Sequence, residues 1–204
     1  MRCHWILQPL LGYFKRVLLE DGRVGCDDTG VTLLYPKVLP ELDLSDAKQK
    51  RIAEVFSEAL AEKKPSINAK MWVYRGVSVP LNVFDFTVSR HRDGPQSFLE
   101  NYSGTIVGDC WHGFGSIAAE SGGTIVRAAC NAHARRKFES ALDYPEDRTK
   151  WMGWFQELYD VESRCKEQSL SGDQLLAMRQ DLAKPVWDKM RGELASVGDR
   201  TQQV

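Results

Sequence analysis

The run Arg23-Val-Gly-Cys-Asp27-Asp28-Thr-Gly-Val-Thr-Leu-Leu-Tyr35 sets the hardest condition on any fold this chain can adopt. Its β-branched and apolar residues read as a strand, yet two adjacent carboxylates stand in its middle. Carboxylates inside a strand are costly unless something cationic meets them. The segment therefore predicts a metal ion or a basic partner at that place.

The rest of the chain supplies a scaffold around it. Leu10, Leu11, Phe14, Val17 and Leu18 recur at helical spacing over residues 9–20, ending near Asp21-Gly22. Ser45 offers an N-cap for a helix through about Glu62, with Ile52, Val55, Phe56, Ala59 and Leu60 on one face. Two strands follow, Ala69 to Arg75 and Leu81 to Ser89. The second is apolar on both sides, at Val83, Phe84, Phe86 and Val88, as a central strand would be. A short helix over Gln96 to Tyr102, a strand from Gly104 to Asp109, a short helical connection and a strand from Thr124 to Ala129 lead into a basic helix. A helix over Arg148 to Gln168 carries Trp151, Trp154, Phe155, Leu158, Tyr159 and Val161, read as core. The last helix starts at Ser171 with Leu175, Leu176, Met178, Leu182, Val186, Met190 and Leu194 inward, and Pro185 should kink or break it.

The sum is an α/β fold: a mixed sheet of about five strands flanked by helices, with a helical C-terminal part. The expected division is a core over residues 1–145, with a helical insertion at about 44–62, and a helical extension over 146–204. A chain of 204 residues has length enough for this, burying roughly 70% of its unfolded surface.

A net charge of −1, with 43% apolar and 27% charged residues, gives no global pull toward nucleic acid or membrane, so polyanion binding must come from local patches. One patch stands out. In Cys130-Asn-Ala-His133-Ala-Arg135-Arg136-Lys137-Phe138, a histidine and three consecutive cations precede a phenylalanine, the pattern of an anion-facing helix start. Taken alone, such a face is more often merely solvated. Five cysteines without framework spacing predict thiols in a reducing compartment. Gln8 and Pro9 break the apolar N-terminal run, and no run approaches the roughly 20 apolar residues of a membrane span. The expectation is a cytoplasmic protein without membrane contact, for which the sequon at Asn101 has no meaning.

Asp27 and Asp109 each sit at a strand. If those strands are neighbours, the two carboxylates can share divalent cations, and hard oxygen ligands suit Mg2+ or Mn2+. Such ions activate an attacking oxygen and stabilise a leaving one in phosphoryl transfer. A lone aspartate at a strand end is more often a turn former. A competing set, Cys110, His112, Cys130 and His133, has the chemistry of a tetrahedral zinc site, although Cys110-x-His112 falls outside the usual spacing.

Together, Cys26-Asp-Asp-Thr-Gly-Val, Met71-Trp-Val-Tyr, Gly104-Thr-Ile-Val-Gly-Asp-Cys-Trp-His-Gly-Phe and Cys130-Asn-Ala-His-Ala-Arg-Arg-Lys-Phe resemble the insertion sequence 66 family of bacterial transposases. The last motif is the most specific. The resemblance extends over nearly the whole chain and implies a ribonuclease H-like core of the DDE type, cutting and joining DNA at transposon ends on two Mg2+ or Mn2+ ions. It implies that Asp27 and Asp109 are the first two catalytic and metal-binding acids, with Asp28 replacing a glutamate and Gly30 a proline. It also implies that His133, Arg135, Arg136 and Lys137 serve DNA phosphates. A homodimer is the assembly to test. The family's third acid lies in an Asn-Asn-rich segment followed by Glu-Arg, which nothing before Val204 resembles; Glu139, Glu157, Glu162 and Glu193 lack that context. The family's N-terminal DNA-binding and zinc-binding segments have no counterpart either. The resemblance therefore implies a central fragment, inactive by itself. The alternatives are a non-catalytic DNA-binding or regulatory remnant and a zinc-stabilised binding domain.

Overall fold

Arg23–Leu33 forms β1, the middle strand of a five-stranded sheet in the computed structural model, which describes the backbone of residues 2–201 and the side chains of residues 6–196. On one side lie Ile67–Gly76 (β2) and Asn82–Thr87 (β3), each antiparallel to its neighbour. On the other, Gly104–Gly108 (β4) and Ile125–Ala129 (β5) run parallel to β1 and to each other. The order is β3-β2-β1-β4-β5. A short turn suffices for the antiparallel pair, whereas β4 and β5 need a crossover, provided by the helix His112–Glu120 described below.

The helices of this part are α1 (Arg2–Leu19), α2 (Ala47–Ala61), α3 (Asp93–Phe98) and α4 (His112–Glu120). One sheet face carries the main core, where Leu18 of α1, Val24, Trp72, Tyr74, Ile106, Phe98 and Phe114 are almost wholly buried. Part of the other face is covered by α2, whose Phe56 and Ala59 pack with Ile67 and Val88. This corrects the expectation for β3. It is an edge strand, and it is apolar on both sides because Val83 faces the main core while Phe86 meets the α2 cluster. Phe84, left over, is 61% exposed.

Other boundaries move for local reasons. The cap of α2 is Asp46, whose carboxylate accepts the Gln49 N–H at 2.8 Å, with Ser45 one step earlier bonded to Asp43. Helix α1 starts well before Pro9 and contains it. Helix α3 begins at Asp93, before Gly94-Pro95 rather than after it. At Gly104 the chain turns into β4 with φ +151°, where a Cβ would stand 2.6 Å from the Gly22 carbonyl oxygen; glycine is required there.

One buried carboxylate holds two turns together. Asp21, 5% exposed, accepts the N–H groups of Val79, Arg23 and Ser78. Those bonds, the Val79 bond first, pull its pKa down to about 2. Because the folded value lies below the roughly 3.9 of an unfolded aspartate, the stabilisation is complete above the unfolded value and is lost as pH falls toward 2. Thermal melts of wild type and Asp21→Asn at stepped pH should therefore show wild type clearly more stable near neutrality, with the gap closing between about pH 4 and pH 2.

The chain divides into two compact units, Met1–Cys130 and Asn131–Val204, earlier than the expected boundary near residue 145. The second unit is helical: α5 (Asn131–Glu139), α6 (Pro145–Glu167), α7 (Gly172–Met178) and α8 (Lys184–Thr201), with a π-helical turn over Arg179–Ala183 between the last two. Its core joins Trp151, Phe155, Leu158 and Val161 of α6 to Ala183, Val186 and Met190. Phe138 brings α5 into this core by stacking on Trp151 with centroids 4.2 Å apart. Pro185 cannot donate to a carbonyl one turn back, and the wider turn just before it absorbs the break. Val186 and Met190 are inward as expected, whereas Leu176, Leu182 and Leu194 are exposed rather than inward.

Candidate functional site

The register of the parallel pair positions the two acids. Arg23, Val24 and Gly25 of β1 face Thr105, Ile106 and Val107 of β4, and pairing stops there. Two residues further along each strand stand Asp27 and Asp109. Residues paired in parallel strands share a face, and neighbouring strands lie about 4.8 Å apart. Asp27, in the middle of β1, and Asp109, just past the end of β4, thus stand on neighbouring strands two residues beyond the last paired positions. The Asp28 N–H donates to Asp27 Oδ1 at 2.9 Å, and the Trp111 N–H donates to Asp109 Oδ1 at 3.0 Å. Arg127 Nη2 donates to the Asp109 carbonyl at 3.3 Å, fixing the backbone at that point.

Asp28 points to the opposite face, among Trp72 and Tyr74 of β2, and its side chain is 4% exposed. The cations demanded by the sequence meet it here. Lys70 Nζ lies 3.1 Å from one carboxylate oxygen, and Arg90 reaches the other. Arg90 Nη2 also lies 2.7 Å from Asp109 Oδ2, so one guanidinium ties the second aspartate of β1 to the aspartate after β4. Its plane sits over the Trp111 ring at 5.2 Å. Partial burial works against its charge, but the bonds to Asp109 and Asp28 outweigh this and hold its pKa up.

The position of Arg90 is itself built. Trp72 Nε1 donates to Thr87 Oγ1 at 2.8 Å, and Thr87 Oγ1 donates to the Ser89 carbonyl at 2.7 Å, anchoring the chain one residue before Arg90. Arg90 and Lys70 were missing from the sequence expectation. The available signal was Ser89-Arg90-His91-Arg92, a cationic burst directly after an apolar strand.

The basic helix α5 belongs to the helical unit. Arg135 pairs with Glu139 at 3.0 Å, Arg136 Nε donates to the Ala132 carbonyl, His133 is half-buried, and Lys137 is exposed. The spare carboxylates are mostly engaged in the same unit: Glu162 takes Arg179 in two bonds and Glu193 lies 2.7 Å from Lys150. Among the described residues no group of three or more His, Cys, Asp or Glu side chains is arranged to hold a metal ion, so Cys110, His112, Cys130 and His133 do not assemble as a zinc set. The four described cysteines are free thiols, and burial, then the Asp27 charge, pushes that of Cys26 up to about 12. Cys3 lies outside the described side chains. No helix among the described residues is long and apolar enough to cross a membrane.

The family model described as "Transposase IS66 family" matches residues 54–203. That segment contains Arg90, Asp109 and the whole of α5, while Asp27 and Asp28 lie before it. A curated protein from Sinorhizobium fredii (strain NBRC 101917 / NGR234), described as "Uncharacterized protein y4hP", is 29% identical over a stretch covering 59% of this chain and 26% of that protein. The match thus spans about a quarter of the relative's length. No solved structure matches significantly.

Proposed function

Because the chain belongs to the IS66 family of transposases, we propose that its first unit carries the acidic part of a DNA strand-cutting and strand-joining site, with Asp27 and Asp109 as ligands of a divalent metal ion. The observation that carries this reading is the β1–β4 register, in which Asp27 and Asp109 each follow the last paired residues, Gly25 and Val107, by two positions on neighbouring strands. The strand order β3-β2-β1-β4-β5, antiparallel on one side and parallel on the other, agrees with the ribonuclease H-like core that the sequence resemblance implies.

Hard carboxylate oxygens on two neighbouring strands are of the kind that Mg2+ or Mn2+ takes. Such an ion, when bound, supplies charge stabilisation to phosphoryl transfer. The chain's own residues hold the geometry: the Trp111 N–H orients Asp109, Arg127 fixes its backbone, and Arg90 keeps its second oxygen facing Asp28. His133, Arg135, Arg136 and Lys137 on α5 are proposed to meet DNA phosphates. The DNA substrate makes the cytoplasm the expected compartment. A homodimer draws no support from the fold or the comparisons and is not part of the proposal. With no third carboxylate joined to the pair among the described residues, this chain by itself is proposed to bind DNA and metal without completing strand transfer.

A second reading, favoured by the Arg90 bridge, makes Asp28 the partner of Asp109. Calorimetric titration of Mn2+ into wild type, Asp27→Asn, Asp28→Asn and Asp109→Asn separates the two. Losing a direct ligand should cost at least the roughly 10–100-fold typical of an outer-shell partner. Binding weakened in Asp27→Asn and Asp109→Asn but kept in Asp28→Asn supports the first reading. Loss in Asp28→Asn instead of Asp27→Asn supports the second. Equal heats in all four proteins remove the metal site and leave a non-catalytic DNA-binding or regulatory protein.

A further inference from the structure

Arg90 Nη2 stands 2.7 Å from Asp28 Oδ1 and 2.7 Å from Asp109 Oδ2, so two carboxylates from different parts of the chain converge on one cationic nitrogen. The hold on the two acids is unequal. Asp28 Oδ1 also accepts Arg90 Nε at 2.8 Å, whereas the bond to Asp109 runs through Nη2. Burial is unequal too: the Asp28 side chain is 4% exposed and also meets Lys70, while that of Asp109 is 23% exposed. The buried end of the bridge is thus the fixed one, and the end on Asp109 is the one that can let go.

Asp109 Oδ1 accepts the Trp111 N–H at 3.0 Å, so each oxygen of this carboxylate already carries a donor. The two donors act differently on an arriving cation. An amide N–H is neutral and can stay beside a metal ligand, as outer-shell partners do. A guanidinium carries a full charge, and close positive charges repel. A lysine in that place could shed its proton, but an arginine cannot. A divalent ion on Asp109 therefore has to push the guanidinium away. The retreat is prepared. Nε keeps its bond to Asp28, the Trp111 ring lies 5.2 Å from the guanidinium carbon, and the backbone is anchored one residue earlier through the Ser89 carbonyl.

We propose that Arg90 is a tethered cation that competes with the divalent ion for Asp109, so that binding of the ion swings the guanidinium off Asp109 and onto Asp28 alone. The proposal rests on Asp109 being a metal ligand, as read above, and adds the residue that sets how readily that ligand is given up. A plain outer-shell role, in which Arg90 only orients Asp109, has the opposite sign: its removal would weaken metal binding by roughly 10–100-fold.

The test is calorimetric titration of Mn2+ into the full chain as wild type, Arg90→Gln and Asp109→Asn, with thermal melts to verify folding. Arg90→Gln should bind Mn2+ at least about fivefold more tightly than wild type, the lower end of a usual coupling between two ligands. Because Arg90→Gln leaves the buried Asp28 charge to Lys70, the same comparison is made between Asp28→Asn and Asp28→Asn/Arg90→Gln, where that charge is removed. A second readout follows Arg90 itself. Labelling of arginines by butanedione, read by peptide mass spectrometry, should speed up at Arg90 when Mg2+ saturates wild type. It should not change at Arg179, which pairs with Glu162, nor at Arg90 in Asp109→Asn. Equal or weaker Mn2+ binding once Arg90 is replaced, or Arg90 labelling that Mg2+ leaves unchanged or slows, would overturn the proposal; if Asp109→Asn still abolishes binding, the metal reading survives. Equal Mn2+ heats in wild type and Asp109→Asn would remove the metal reading and this proposal together.

Discussion

Trp72→Ala is expected to destabilise the first unit by about 3–5 kcal/mol, the range for a large aromatic removed from a packed core. Trp72 is 0% exposed on the second strand of the sheet. Its ring lies 5.3 Å from Trp111 and 6.2 Å from Phe114, so truncation opens a cavity bordered by rigid rings that collapse poorly. The loss extends beyond volume. The Trp72 indole N–H holds Thr87, which in turn holds the Ser89 carbonyl beside Arg90. Trp72→Phe keeps most of the apolar surface and should cost less, with about 1 kcal/mol of its loss coming from the missing hydrogen bond. Urea unfolding followed by circular dichroism measures both. A loss under about 1 kcal/mol for Trp72→Ala would contradict this packing.

Arg90→Gln should cost about 2 kcal/mol, less than the 3–5 typical of breaking a fully buried ion pair, because Arg90 is 38% exposed. The cost arises from Asp28. Its side chain is 4% exposed and keeps only Lys70 when the guanidinium is removed. If this is the cause, neutralising the acid relieves it, and Asp28→Asn/Arg90→Gln should be clearly more stable than the sum of the single changes predicts. The coupling in such a double-mutant cycle should reach about 1–2 kcal/mol. A cycle that closes to within about 0.3 kcal/mol would mean that Arg90 and Asp28 do not interact energetically, whatever their separation.

The elements that were legible in the sequence share one property, that a local pattern decided them. The β-branched run around Asp27 had to be a strand, the apolar spacing in 47–61 had to be a helix, and Trp151 with Phe155 had to be core. Misreadings arose where a partner element decided. β3 looked central because both faces are apolar, yet it is an edge strand, its second face taken up by α2. Ser45 and Asp46 are both good caps, and only the backbone path selected Asp46. The stripe from Leu175 to Leu194 was drawn as one face; Val186 and Met190 of it are buried, while Leu176, Leu182 and Leu194 fall outside the core on either side of the π-helical turn.

The candidate site divides in the same way. From the chain alone one can say that two carboxylates in a strand need cations, that Asp109 ends another strand, and that Arg135, Arg136 and Lys137 form a basic helical face. Which cation meets which carboxylate depends on tertiary structure. Consecutive strand residues point to opposite faces, so Asp27 and Asp28, alike in sequence, receive different surroundings. The parallel register of the third and fourth strands in spatial order, Gly25 beside Val107, puts Asp27 and Asp109 each two residues further on, while the path of the chain after the edge strand swings Arg90, distant in sequence, between Asp28 and Asp109. Residue types and their periodicity are local and fix the charges that need partners. Pairing across strands is non-local, and the burial of one face against helices decided which of the two aspartates was sealed and neutralised and which was left at the surface.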